Sequence, residues 1–109
     1  MPTRPDTLQG SLPLLVLTIL HRRGPLHGYA ITSHIQSLSD ALRVEEGSLY
    51  PALHRMEEAG WIKARMITTE HNRRARAYEI TAAGRRQLDV EEGRWRSITD
   101  AVNHVLRHA

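Results

Sequence analysis

At 109 residues, with 40% hydrophobic and 25% charged residues, the chain has the composition of one folded domain that can bury a core. It has no cysteine, which excludes disulfides, thiolate metal sites and a cysteine nucleophile. The apolar run at residues 12–20 is too short to span a bilayer, and no small-residue cleavage site follows it. We therefore expect a cytoplasmic protein with no membrane segment and no signal peptide.

The positive charge is concentrated in one part of the chain. Residues 63–86 carry seven Lys/Arg and two Asp/Glu, a balance of +5, whereas the segments on either side each have a balance of −1. A localised basic patch is typical of a protein that binds a polyanion, although solvated basic loops are also common. We treat residues 63–86 as a candidate contact for nucleic acid.

The first half of the chain predicts a polar arm followed by two helices. Residues 1–10 are polar and contain two prolines, which is typical of an N-terminal arm. SLPLLVLTILHRR predicts a central, nearly all-apolar helix with Ser11 as N-cap and Pro13 in its first turn. Gly24-Pro25 ends this helix, and HGYAITSHIQSL predicts a second one with Tyr29, Ile31, Ile35 and Leu38 at helical spacing.

A third helix is predicted within residues 45–61, EEGSLYPALHRMEEAGW. Proline is tolerated in the first turn of a helix, so Pro51 predicts a start near Gly47–Ser48. Gly60 stands where a glycine cap would end the helix. At 100° per residue the apolar side chains gather on one face, which is expected to be the core side: Leu49, Ala52, Leu53, Met56 and Ala59.

The opposite face of this third helix is the one that a recognition helix would present to a major groove. Its residues are Gly47, Tyr50, Pro51, His54, Arg55 and Glu58, with Ser48 at the margin. Its side chains can contact bases or phosphates, and its N-terminal N–H groups can bind a phosphate. The alternative is that these are the solvated residues of an ordinary surface helix.

After Gly60 the hydrophobic period changes from helical to alternating. WIKARMI and ARAYEIT predict two strands, joined by the polar connection TTEHNRR, in which Asn72 is the residue best able to adopt a left-handed conformation. Thr81 is predicted to cap a final helix that runs to the C-terminus.

These elements predict a mainly α-helical fold with a small β-hairpin, in the pattern of a winged helix-turn-helix. The N-terminal arm would occupy residues 1–10, the winged helix-turn-helix residues 11–81, and a dimerisation helix residues 82–109. The candidate DNA contacts lie on the third helix and the hairpin: Ser48, Tyr50, Pro51, His54, Arg55, Lys63, Arg65, Arg73, Arg74 and Arg76.

The final helix carries an apolar stripe with a/d-like spacing: Leu88, Trp95, Ile98, Val102 and Val105, with Leu106 adjacent. Such a stripe needs a cover, and we expect both the first helix and a second copy of the chain to provide it. Glu91 interrupts the stripe. Trp95 offers a stacking surface for a small planar effector, the alternative being an ordinary apolar anchor of the dimer.

No other constellation predicts catalysis or a cofactor. His104 and His108 are one helical turn apart and could hold a metal, but cationic residues in a last turn more often interact with the helix dipole. GSLYP is not the nucleophile elbow GxSxG, and no glycine-rich phosphate loop is present. We therefore expect no enzyme activity, no cofactor and no metal.

Three segments together resemble the PadR family of transcriptional regulators: GPLHGYAI, ALRVEEGSLYPALHRMEEAGWI and RAYEITAAGRRQL. The resemblance runs from about Leu12 to about Leu106. It implies a winged helix-turn-helix domain, a homodimer built on the C-terminal helix, and usually repression. It also places Ser48, Tyr50, Pro51 and His54 on the recognition helix and Arg73, Arg74 and Arg76 on the wing.

The chain departs from the family pattern in its wing, because family wings are often glycine-rich and TTEHNRRARA contains no glycine. With one terminal helix, it is similar to the short branch of the family. Two functions remain. The first is a homodimeric repressor that binds a double-stranded DNA operator and is released by a small planar effector. The alternative is a winged-helix protein-interaction module, for which a concentrated basic wing is not needed.

Overall fold

The computed structural model describes residues 10–109, which form four α-helices and three β-strands. The helices are α1 (Leu12–Arg23), α2 (Gly28–Leu38), α3 (Glu46–Glu58) and α4 (Ala82–His108). The strands are β1 (Leu26–His27), β2 (Ile62–Thr68) and β3 (Arg74–Ile80). The predicted mainly α-helical fold with a hairpin is confirmed. Of the arm predicted at residues 1–10, all but Gly10 lies outside the described residues.

The sheet has one strand more than the sequence predicted. Its order is β1-β3-β2, and both strand pairs are antiparallel. In the hairpin Ile62 pairs with Ile80 and Thr68 with Arg74, while Leu26 of β1 pairs with Tyr78. Two residues are too few for an alternating pattern, so β1 left no signal in the sequence and only its pairing with β3 reveals it.

The wing turn is built without glycine, by Thr69 and Asn72. The Asn72 amide donates to the Thr69 carbonyl at 2.9 Å, and the Thr69 amide donates to the Arg73 carbonyl at 2.7 Å. Asn72 has a φ of 58°, the left-handed conformation that was predicted for it. Its short polar side chain makes this conformation accessible, so the wing turn forms without a glycine.

α1 is at the centre of the core, as its nearly all-apolar sequence predicted. Val16, Leu17 and Leu20 are each at most 1% exposed. The other helices and the sheet pack around them with the buried side chains Ile31, Ile35, Leu49, Leu53, Met56, Ile62, Tyr78, Ile80 and Leu88.

α3 begins earlier than predicted. It starts at Glu46 rather than at Gly47–Ser48, so Pro51 is its sixth residue and lies in its second turn. The first turn closes on Glu45, whose carbonyl accepts from the Ser48 and Leu49 amides at 3.0 and 2.9 Å. A proline at position 51 removes only the bond that its own amide would have made to the Gly47 carbonyl. The first-turn rule therefore gave the wrong start.

The end of α3 matches the prediction. Gly60 has a φ of 81°, its amide donates to the Glu57 carbonyl at 3.0 Å, and the Trp61 amide donates to the Met56 carbonyl at 3.0 Å. This pair of bonds is a Schellman motif, which ends the helix and turns the chain directly into β2.

α4 begins against the end of α3. The Thr81 hydroxyl accepts from the Gly84 amide at 3.0 Å, which confirms the predicted cap. Gly84 is needed because a Cβ there would overlap the Trp61 carbonyl oxygen. α4 then packs along α1, and Leu88 is 5% exposed within the protomer core. Leu88, the first residue of the predicted stripe, is therefore covered by the protomer's own core.

Candidate nucleic-acid interface

α3 presents the predicted outer face. Leu49, Ala52, Leu53 and Met56 are buried, and Tyr50, Pro51, His54 and Arg55 are exposed, while Ser48 is half-buried. Ala59 is exposed, contrary to the prediction, because α3 ends at Glu58 and the chain turns away there. The exposed face is therefore confined to the residues between Glu46 and Glu58.

Tyr50 is more than a surface side chain. A Cβ at Gly28 would lie 2.8 Å from the Tyr50 hydroxyl oxygen and 2.9 Å from a ring carbon, so the ring occupies the space that the missing side chain leaves. Burial, the Glu46 carboxylate and Tyr78 raise the pKa of Tyr50. The ring is still 43% exposed, so Tyr50 joins α3 to the first turn of α2 and also reaches the surface.

His54 and Arg55 are exposed next to each other on α3 and differ in their partners. The His54 Nε2 atom lies 3.4 Å from a Glu58 carboxylate oxygen, one turn along the helix. Within residues 10–109 no ion pair involves Arg55. Arg55 can therefore bind a phosphate without losing a partner.

The hairpin register divides the wing cations between the two faces of the sheet. Ala64 pairs with Tyr78 and Met66 with Arg76, so Arg74 and Arg76 share the face that continues into the core. Lys63 and Arg65 lie on the opposite face, where Lys63 Nζ is 3.8 Å from Glu79. The sequence grouped all these cations as one patch, but the pairing separates them.

Arg76 contacts α3 directly. Its Nη2 atom donates to both carboxylate oxygens of Glu57, at 2.9 and 3.1 Å. This contact brings α3 and β3 side by side, with Tyr50, His54 and Glu58 around the same shallow cleft. Arg73 and Arg74 lie nearer the wing tip and are exposed. Neither forms an ion pair with any residue in the range 10–109.

The start of α2 belongs to the same surface, and sequence reasoning missed it. Tyr29, one of the residues at helical spacing in this segment, is 66% exposed and stacks on His27, with ring centroids 6.4 Å apart. The His27 Nδ1 atom caps α2 by accepting from the Ala30 amide at 3.3 Å. A concave surface between this turn and the wing is lined by Tyr29, Arg73 and Arg74. Only the pairing of β1 with β3 brings these segments together.

The comparisons with known proteins agree with this geometry. The family model described as "Transcriptional regulator PadR-like family" matches residues 16–90. The chain belongs to the PadR-like family of transcriptional regulators. It is therefore a transcriptional regulator rather than an enzyme, and DNA binding is the general activity that membership implies.

Solved structures of transcriptional regulators share the fold over nearly the whole chain. A PadR-like transcriptional regulator from Bacillus cereus is 26% identical, with a TM-score of 0.81 over 95% of this chain and 99% of the other. A transcriptional regulator from Clostridium thermocellum is 28% identical, with a TM-score of 0.81 over 91% and 96% of the two chains. A PadR family regulator from Eggerthella lenta is 27% identical, with a TM-score of 0.80 over 95% and 88%.

A curated relative is closer in sequence but much longer. The chain is 41% identical over 78 residues to an uncharacterised 37.1 kDa protein in transposon Tn4556 of Streptomyces fradiae. The match covers 72% of this chain and 21% of that protein. The chain thus spans about a fifth of the length of that relative.

Within residues 10–109, an apolar stripe on the long final helix of this PadR-like chain is left uncovered. Trp95, Ile98, Val102, Val105 and Leu106 are between 44% and 76% exposed. Trp95 lies between two clefts, one against the N-terminal end of α1 and a larger one, of about 540 Å³, between α1, α2 and α4. The residues of the stripe beyond Leu88 are therefore free to contact another molecule.

Glu91 interrupts this stripe, as the sequence indicated, and it is 7% exposed. Its carboxylate accepts from Gln87 Nε2 at 2.7 Å and lies 3.6 Å from Arg94 Nη1. Buried carboxylates require such partners. The interruption is therefore accommodated within α4, which continues to His108.

The described residues hold no cluster of three or more His, Cys, Asp or Glu side chains arranged to bind a metal. The His104 and His108 rings are 4.5 Å apart, and they stand as a pair at the end of α4. Across the described range, no helix is both long and apolar enough to cross a membrane.

Proposed function

We propose that the chain is a sequence-specific repressor that binds a double-stranded DNA operator as a homodimer. The observation that carries the proposal is that the Arg76–Glu57 contact sets the exposed face of α3 beside β3, the wing strand that begins at the exposed Arg74. α3 would enter the major groove, where Ser48, Tyr50, Pro51, His54 and Arg55 contact bases or phosphates. The wing would contact the backbone beside it.

The wing residues have different proposed roles. Arg73 and Arg74 are exposed and bind phosphates directly. Lys63 and Arg65 lie on the other face of the hairpin and act through the potential of the basic segment rather than beside α3. Such a concentration of positive charge favours a DNA partner over a protein partner.

Residues 11–81 form the DNA-binding part in this proposal, and residues 82–109 form the dimerisation helix. The exposed stripe of α4 supports it, because an uncovered row of large apolar side chains is unfavourable in water. A symmetric pair of recognition helices would read half-sites about 10 bp apart, or a multiple of that spacing.

The dimer is tested by charge insertion into the stripe. We expect Ile98→Lys to lower the mass measured by sedimentation equilibrium from that of a dimer toward that of a monomer. Ser97→Lys is the matched control, because Ser97 is the exposed neighbour of Ile98 outside the stripe. Equal masses for the two variants would contradict a seam along α4.

A small planar effector that releases the repressor would bind beside Trp95. Trp95 is 44% exposed and lines both of the clefts described above, which are mainly apolar. Effector binding there would change the packing of α4 and the distance between the recognition helices. In a Trp61→Phe background, we expect planar aromatic compounds to alter Trp95 fluorescence. Unchanged fluorescence across the panel would argue that Trp95 is only an apolar anchor.

The DNA proposal is tested by fluorescence anisotropy against DNA from upstream of the protein's own gene, with a scrambled duplex as control. We expect binding at least about 1,000-fold tighter to the specific duplex, together with a steep negative dependence on salt. Weak and equal binding to both duplexes would count against specific recognition at that site. A pull-down would then test the protein-interaction alternative.

A further inference from the structure

An acidic side chain of α3 forms an ion pair with one of the arginines that the sequence predicted to contact DNA. Arg76 Nη2 donates to both carboxylate oxygens of Glu57, at 2.9 and 3.1 Å. The two side chains are 55% and 33% exposed, so the pair is partly hydrated and its strength depends on salt. A DNA phosphate and Glu57 would therefore compete for the same guanidinium.

The pair lies where the hairpin leaves the core. Along the α3 side of β3, Tyr78 is buried, Arg76 follows toward the tip, and Arg74 is exposed beyond it. Met66, the cross-strand partner of Arg76, is 49% exposed. Glu57 thus holds Arg76 at the boundary between the packed and the solvated parts of the wing.

The neighbouring arginines are not held in this way. Within residues 10–109, Arg55, Arg73 and Arg74 form no ion pair, so each can bind a phosphate without giving up a protein partner. Arg76 has to give up its two charge-assisted hydrogen bonds to Glu57 before it can bind a phosphate.

We propose that Glu57 limits the sequence-independent affinity of the regulator by withholding Arg76 from the phosphate backbone. The inference rests on the proposed DNA binding and names the residue that sets how many phosphates the wing neutralises. Each neutralised phosphate strengthens binding to every DNA sequence. With Arg76 withheld, the wing binds through Arg73 and Arg74, and occupancy of the many non-operator sites of a genome is lower.

The test uses a fluorescein-labelled random-sequence duplex of about 20 bp, titrated by anisotropy at several salt concentrations with the wild-type chain, Glu57→Ala, Arg76→Ala and the double variant. We expect Glu57→Ala to raise affinity on the order of fivefold at 0.1 M salt and to steepen the salt slope by about 0.9, the value for one added phosphate contact. Arg76→Ala should leave the slope unchanged. All variants are first checked for a wild-type circular dichroism spectrum.

Glu58→Ala is the matched control, since it removes the same charge from the next residue of α3, whose partner is His54. In the Arg76→Ala background, removing Glu57 should have no larger effect than Glu58→Ala has. Equal gains from Glu57→Ala and Glu58→Ala would show a simple charge effect and overturn the inference. A slope that flattens by about 0.9 in Arg76→Ala alone would also overturn it, because Arg76 would then already bind a phosphate.

Failure of the inference is distinguishable from failure of the proposed function. If the wild-type chain binds duplex DNA with a salt dependence and Glu57→Ala behaves identically, only the role of Glu57 is rejected. If the wild-type chain binds neither this duplex nor DNA from upstream of its gene, the proposed function fails and the inference fails with it.

Discussion

The Thr81 hydroxyl donates to the Gly60 carbonyl at 2.6 Å while it accepts from the Gly84 amide at 3.0 Å. A single side chain thus joins the residue that ends α3 to the first turn of α4. The Thr81 amide adds a bond to the Trp61 carbonyl at 3.0 Å. The ends of α3, the wing and α4 are therefore held together at one point.

We expect Thr81→Ala to lower the free energy of unfolding by about 1–2 kcal/mol, because it removes a helix cap and a second hydrogen bond together. Urea unfolding followed by circular dichroism measures this loss. Thr81→Ser keeps the hydroxyl and should lose much less. A loss in Thr81→Ser equal to that in Thr81→Ala would show that the methyl group, and not the hydroxyl, carries the effect.

The two glycines of α4 should respond to alanine in opposite directions. A Cβ at Gly84 would overlap the Trp61 carbonyl oxygen, whereas a Cβ at Gly93 would meet no atom within 4 Å. We expect Gly84→Ala to destabilise by about 1–3 kcal/mol and Gly93→Ala to stabilise by about 0.5–1 kcal/mol. Thermal unfolding of the two variants checks this, and destabilisation by both would contradict the open surroundings of Gly93.

Tyr50 should make stability decrease at alkaline pH. Burial, Glu46 and Tyr78 raise its pKa in the folded chain above the ordinary value of 10.0. As pH rises, the Tyr50 hydroxyl therefore loses its proton in the unfolded chain before it does so in the folded chain. The contribution of Tyr50 to the free energy of unfolding is complete below pH 10.0 and is lost as pH rises toward the folded pKa. Denaturant unfolding over this range should show a weaker pH dependence in Tyr50→Phe. Tyr29→Phe, which alters an exposed ring, should keep the wild-type dependence.

The two kinds of DNA contact should separate by mutation. We expect His54→Ala to relax the sequence preference recovered in a selection from a random duplex library, because His54 lies on the exposed face of α3. Arg74→Ala should weaken binding to all duplexes about equally and flatten the salt slope by about one unit. If both variants lost specificity to the same degree, the assignment of base readout to α3 and phosphate contact to the wing would be wrong.

Local chemistry predicted most of the elements and several caps. Gly60 and Asn72 adopt the left-handed conformations expected of them, and Thr81 caps α4. These features depend on neighbours within a few residues, so the sequence shows them directly. The start of α3 was misjudged because Pro51 is accommodated one turn deeper than the first-turn rule assumes.

Features that depend on distant neighbours were not accessible in this way. β1 exists only through its pairing with β3, and Tyr29 is exposed because that pairing sets the start of α2 beside the wing. Leu88 has the spacing of the apolar stripe and is nevertheless buried in the protomer's own core. Spacing along one helix defines a stripe, but it does not say which neighbour covers each part of that stripe.

By itself, then, the sequence determined the order of the four helices and the hairpin, the PadR-like resemblance and the location of the basic segment, because hydrophobic period, turn residues and charge are properties of adjacent positions. Only the tertiary structure decided which of those cations lie on the same face as α3 and which of them are already paired with a carboxylate. The antiparallel register sends Lys63 and Arg65 to one face and Arg74 and Arg76 to the other, and the approach of α3 supplies Glu57 to Arg76. An ion pair depends on distance in space, and residues 57 and 76 come within 3 Å only when the hairpin has folded against α3.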